Sequence, residues 1–113
     1  MCILGDGTKC NIEVQKSDDD NHLKRARYNA ACITASATNT RTKFENVPSV
    51  YVVYITDFDF IGENRTIYHV QMTCRETGSV LDDRLNEIFV NTAVNDNTDI
   101  SELMVYFKEK ASR

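Results

Sequence analysis

Chemistry in this chain would have to come from a few polar groups, and the first pair lies near the N-terminus. In Asn11-Ile12-Glu13-Val14-Gln15 polar and apolar residues alternate, which is the period of a half-buried strand. The Glu13 carboxylate and the Gln15 amide therefore share one face, and Ile12 and Val14 share the other. A carboxylate accepts hydrogen bonds only, while an amide can orient a water or a phosphate oxygen. The plain alternative is that both simply face water on an amphipathic strand. Further along, Lys24, Arg27 and Tyr28 fall on one helical face and Arg25 with Asn29 on another. Asp57, Asp59 and Glu63 form an acidic group that could attract a metal. Its lack of any fixed ligand spacing favours a solvated loop at a strand end instead.

The elements that must position these groups follow from periodicity. Cys2-Ile3-Leu4 reads as a strand, Gly5-Asp6-Gly7 as a turn, and Cys10 to Gln15 as the antiparallel partner. Asp18 to Asp20 offer N-caps and favourable charge to a helix running from His22 to about Ala37. Leu23, Ala26, Ala30, Ile33 and Ala37 make its apolar stripe, and Tyr28 is expected to be partly buried. The Ala-Ser-Ala-Thr-Asn-Thr run from Ala35 ends the helix. Val50-Tyr51-Val52-Val53-Tyr54-Ile55 is apolar on both faces, as a strand between two layers must be. Thr66 to Cys74 alternates, with Tyr68, Val70, Met72 and Cys74 on one face. Glu87 to Thr92 is a short strand with Ile88 and Val90 on one face. Asp99 and Glu102 make a capping pair for a final helix whose stripe is Ile100, Leu103, Met104 and Phe107. Strand, strand, helix, strand, strand, strand, helix packs naturally as a mixed α/β sheet with helices covering at least one face.

Composition narrows the class. The 113 residues fit a single domain, with 42% hydrophobic and 27% charged residues. No apolar run reaches membrane-spanning length, and no basic-then-apolar leader is present, so a cytoplasmic protein is expected. A net charge of −4 weighs mildly against nucleic-acid binding, although basic groups can be local. Cys2, Cys10, Cys32 and Cys74 lack zinc or redox spacing. Cys2 and Cys10 flank the first turn and could face each other, most simply as reduced, buried side chains.

The run from Asn11 through Tyr28 resembles the PD-(D/E)XK nuclease family transposases, the group that includes recombination-promoting nucleases. In that family a strand carrying Glu-x-Gln is followed by a short acidic loop and a helix presenting a basic pair and a tyrosine. The resemblance continues through Val47 to Phe60, Ile67-Tyr68-His69-Val70, Glu76-Thr77-Gly78 and Ile88-Phe89-Val90-Asn91, in the family's order. It implies a restriction-endonuclease-like core, a central mixed sheet flanked by helices. It also implies metal-dependent DNA endonuclease activity in recombination or transposition, with Mg²⁺ as cofactor and DNA as partner. By this resemblance Glu13 matches the metal-binding Glu, and Gln15 stands where much of the superfamily has Lys. Lys24, Arg25 or Arg27 would supply positive charge to a phosphate, and Tyr28 a hydrogen bond.

One departure is specific. The family's metal-binding Asp lies on the strand leading into the first turn, and Cys2-Ile3-Leu4 holds no carboxylate. By this alignment that Asp falls before Met1, so residues 1–113 read as a partial, N-terminally truncated domain. Two expectations follow: weak or absent cleavage, and a homodimer or higher oligomer formed through an uncovered sheet edge. Three functional readings remain open: a metal-dependent nuclease, an inactive self-associating remnant of that domain, and a plain DNA-binding module built on Lys24, Arg25, Arg27, Arg41 and Lys43.

Overall fold

A computed structural model describes residues 2–3, 5, 7–15 and 21–93. Within them the elements are β1 (Cys2–Ile3), β2 (Lys9–Gln15), α1 (His22–Ser36), β3 (Val50–Thr56), β4 (Ile67–Val70) and β5 (Leu85–Asn91). The five strands form one sheet in the order β1-β2-β3-β5-β4. β2, β3 and β5 run parallel, and the two edge strands run antiparallel to their neighbours. The sheet is thus mixed, and α1 is the crossover that a parallel β2–β3 pair requires.

β3 sits at the centre because it is apolar on both faces. Val52 and Tyr54 are fully buried on the side that α1 covers, packed with Ala26, Ala30, Ile33 and Phe89. Val53 joins Ile88 and Val90 on the opposite side. The alanines of α1 have little bulk beyond Cβ, so the helix lies close to the sheet, and a larger side chain at Ala26 would push it away. The expected Ile88–Val90 face is observed.

Register places the polar face of β2. Lys9, Asn11, Glu13 and Gln15 pair with Val50, Val52, Tyr54 and Thr56. Registered residues on neighbouring strands share a face, so Glu13 lies on the helix side. Ile12 and Val14 lie on the other side, where both are more than half exposed. An ordinary amphipathic strand, with Glu13 and Gln15 facing water, would bury this apolar pair; here α1 covers the polar side of the strand instead. Cys2 and Cys10 are direct cross-strand partners, as expected, and the Cys10 thiol is buried.

The helix bounds match expectation, and so do Ala26, Ala30 and Ile33 of its buried stripe, but Leu23 does not. His22, Ala26, Ala30 and Ile33 are buried, whereas Leu23 is 57% exposed. His22 takes the inward place expected for Leu23. Its Nδ1 lies 3.0 Å from the Tyr54 hydroxyl, and its ring packs against Phe58 and Phe60. The Asp18–Asp20 caps lie outside the described residues. The N-cap is Asn21, in a left-handed conformation that Asn tolerates, and its carbonyl accepts from the Arg25 amide. At the other end, hydroxyls of Thr34, Ser36 and Thr38 turn back onto helix carbonyls, which is how this polar run stops the helix.

The expected strand over Thr66–Cys74 is shorter. Its ladder to β5 ends at Val70, and the Gln71 side chain bonds Asn86 in its place. Beyond it residues 72–81 fold back on themselves through a Thr73–Val80 bridge and a turn at Gly78, leaving Met72, Val80 and Leu81 exposed. Alternation continued in the sequence because this ribbon is also extended. The final helix expected around Ile100–Phe107 lies outside the described residues. No described helix is long and apolar enough to cross a membrane.

Candidate functional site

β2 carries Glu13 upward from the sheet on the side where α1 begins. Glu13 is half-buried, and among the described residues its carboxylate makes no hydrogen bond or ion pair. A cleft of about 670 Å³ opens between it and the first turns of α1. Lys24, Arg25, Arg27, Tyr28, Asn29 and Ala31 complete its lining. The structure therefore brings Glu13, Lys24, Arg25, Arg27 and Tyr28 to one cleft. Gln15 shares the sheet face of Glu13 but does not line this cleft. It stands at the end of its strand, opposite Thr56.

The electrostatics of the cleft are one carboxylate facing several cations. Lys24 and Arg27 make no ion pair among the described residues, and both are exposed. Cations without a partner are available to an anion that enters. Tyr28 is 69% exposed, not partly buried as expected. Residues 24, 28 and 31 follow one another along the helix surface away from the Ala26–Ala30 stripe, which puts Tyr28 at the rim. Its hydroxyl bonds the Cys32 side chain one turn on, and that contact holds the phenol above its ordinary pKa. Tyr28 thus presents a neutral group, able to donate or accept.

The acidic group after β3 is built differently. Asp59 accepts hydrogen bonds from the amides of Gly62 at 2.9 Å and Asn64 at 2.8 Å, and from the Tyr68 hydroxyl at 2.9 Å. Burial pushes its pKa up, but the bonds from Gly62, Tyr68, Asn64 and Ile61 outweigh this and leave it below the usual value. Its oxygens are occupied in holding a loop, as the solvated-loop reading expects. Among the described residues no group of three or more His, Cys, Asp or Glu could hold a metal ion.

Sequence reasoning passed over His22. A signal was present: it lies four residues before Ala26, in step with the Ala26–Ala30 stripe. It fixes the start of α1 against Tyr54, the register partner of Glu13.

No curated protein and no solved structure matches the chain significantly. The family model for PD-(D/E)XK nuclease family transposases matches residues 1–104. The mixed sheet with one helix laid across β2 and β3 is consistent with a restriction-endonuclease-like domain. With the match extending over nearly the whole length, the chain belongs to the PD-(D/E)XK nuclease family transposases.

Proposed function

We propose that the Glu13 cleft receives a DNA phosphodiester and that the chain acts as a metal-dependent DNA endonuclease in recombination. The observation that carries this is the half-buried Glu13 carboxylate, unpartnered among the described residues, facing Lys24, Arg25 and Arg27 across one cleft. A carboxylate that no structural hydrogen bond uses adds little to stability, and sites that bind or react are where such arrangements persist. Arg25, Arg27 and Lys24 would hold the phosphate, and the Tyr28 hydroxyl would bond one of its oxygens.

Mg²⁺ is the cofactor of this reading, and Glu13 is the residue that would anchor it. The fit is that of a hard oxygen donor with no competing partner among the described residues. Mg²⁺ commonly binds through one or two carboxylates plus substrate phosphates and waters. When bound, it activates water and screens charge on the phosphate. With one carboxylate in the cleft, metal affinity in this chain depends on the DNA phosphate.

Calorimetry with Mn²⁺ tests the reading, with and without a duplex and in wild type and Glu13→Gln. The expected result is metal uptake only with DNA present, lost in Glu13→Gln. DNA nicking that is equal in both proteins would sink it.

The inactive, self-associating module remains a second reading. Ile12 and Val14 favour it, exposed side by side on the sheet face opposite the cleft. A dimer in sedimentation that dissociates in Ile12→Asp, together with no metal uptake under any condition, would select this reading.

A further inference from the structure

The charge of this acidic protein is unevenly distributed. Between His22 and Phe44 the sequence has five cations, Lys24, Arg25, Arg27, Arg41 and Lys43, and no carboxylate. The chain as a whole is net −4, so the remainder is strongly acidic. In the fold these cations fall into two groups. Three line the Glu13 cleft at the start of α1, and two stand in the loop after its C-terminal end. The helix from Lys24 to Ser36 separates the groups by about 18 Å at 1.5 Å per residue.

The second group has an unusual companion. Phe44 is 95% exposed, the most exposed of the large hydrophobic side chains described. It is nevertheless held by an ordered frame. The Asn39 side chain accepts from the Arg41 amide at 2.8 Å, and the Asn39 amide donates to the Thr42 hydroxyl at 2.9 Å. A 3₁₀ turn over Phe44–Asn46 follows, closed by amide bonds from Asn46 to Lys43 and from Val47 to Phe44. Arg41, Lys43 and Glu45 make no ion pair among the described residues. An aromatic side chain left in water, next in sequence to Lys43 and three residues after Arg41, buries almost no apolar surface and so contributes almost nothing to the stability of the fold.

We propose that this loop is a second nucleic-acid contact, with Arg41 and Lys43 on backbone phosphates and Phe44 stacked on an unpaired or splayed base. The inference rests on the DNA reading of the cleft and extends it: the strand held at Glu13 continues along α1 and is gripped again at Phe44. Charge complementarity selects a polyanion, and the lone ring selects one that carries planar bases. A stacking face is tolerant of base identity, so the contact adds affinity without sequence preference. A lipid surface fits less well. One ring beside Glu45 offers little to insert, and interfacial binding scales with buried apolar area.

The test is fluorescence anisotropy of the intact chain with a labelled single strand and with the matching duplex. The variants are Phe44→Ala, Phe44→Trp, Arg41→Ala with Lys43→Ala, and Arg25→Ala with Arg27→Ala. Phe44 is so exposed that its substitution leaves the thermal midpoint in place, which circular dichroism checks. The expected result is about tenfold weaker single-strand binding in Phe44→Ala, restored by Phe44→Trp, since one base stack has roughly this effect. Removing Arg41 and Lys43 lowers the salt dependence by about the equivalent of two phosphate contacts. A 2-aminopurine base in the strand is quenched by wild type and not by Phe44→Ala. The inference falls if the Arg25/Arg27 variant loses binding while both loop variants bind like wild type. The DNA reading falls with it if wild type binds neither probe. Loss of vesicle binding, or of a dimer in sedimentation, in Phe44→Ala with unchanged DNA affinity would assign the loop to another partner and overturn it too.

Discussion

Glu13 and Asp59 belong to the same end of the sheet. One stands two residues before the end of β2, and the other stands three residues beyond the end of β3. Asp59 is consumed: the amides of Gly62 and Asn64 and a phenol converge on it, the Ile61 amide adds to them, and that phenol also accepts from the amides of Glu63 and Arg65. Glu13 has no such partners among the described residues. The difference shows that acidic residue type says little about availability. Asp59 holds a loop shut, with Gly62 and Asn64 in left-handed conformations that aim their amides inward. Glu13 is left open on a cleft of cations, so it is the carboxylate that an incoming group can use.

The largest effect that would break this comparison is on stability. Asp59→Ala removes a charged acceptor from these donors, and each such bond contributes about 1.5–3 kcal/mol when water cannot replace it. The loop is partly exposed, so water recovers some of this, and a net loss of about 2–3 kcal/mol is expected in urea denaturation. An unchanged midpoint would mean that the Asp59 knot is decoration and that the contrast with Glu13 is false. Tyr68→Phe should follow with a loss of about 1–2 kcal/mol, because the phenol is the hub through which the loop reaches β4.

Acid sharpens the same point. The folded-state pKa of Asp59 lies below its ordinary value of 3.8, so folding favours the ionised form. Its contribution is complete above that ordinary value and is lost as pH falls through the lowered folded value. The stability gap between wild type and Asp59→Asn should therefore be constant from neutral pH down to about pH 4 and narrow below it. A gap that widened on acidification would reverse the assigned sign.

How far the sequence could be read divides along similar lines. β3, the bounds of α1, the Cys2–Cys10 pairing and the Ile88–Val90 face were legible, because each is set by local period and turn chemistry. Ile12 and Val14 were not. A period of two tells that a strand has two faces, but only the tertiary packing of α1 decides which one is covered. Leu23 misled for a related reason: hydrophobicity pointed to it, whereas His22, in step with Ala26 and Ala30, had the partner in Tyr54. In the site, the spacing of Glu13 and the helix cations was readable and their convergence on one cleft follows from the crossover. That the Asp59 carboxylate is closed off by amides depended on loop conformation, which no periodicity encodes, whereas the exposure of Tyr28 follows from its place on α1 away from the Ala26–Ala30 stripe.

The smallest expected effect is the most telling one. Glu13→Gln keeps shape and removes charge. Two terms oppose each other in the folded protein. Desolvation of a half-buried carboxylate disfavours the wild type, and attraction to exposed Lys24, Arg25 and Arg27 favours it, by amounts that solvent screening holds to a few tenths of a kcal/mol. No hydrogen bond from the described residues is lost to tip the balance. The net change in stability should therefore stay within about 0.5 kcal/mol of zero, while DNA-dependent metal uptake disappears. A loss as large as that of Asp59→Ala would show that Glu13 is another structural acid. The cleft would then owe whatever affinity it has for DNA to its cations alone.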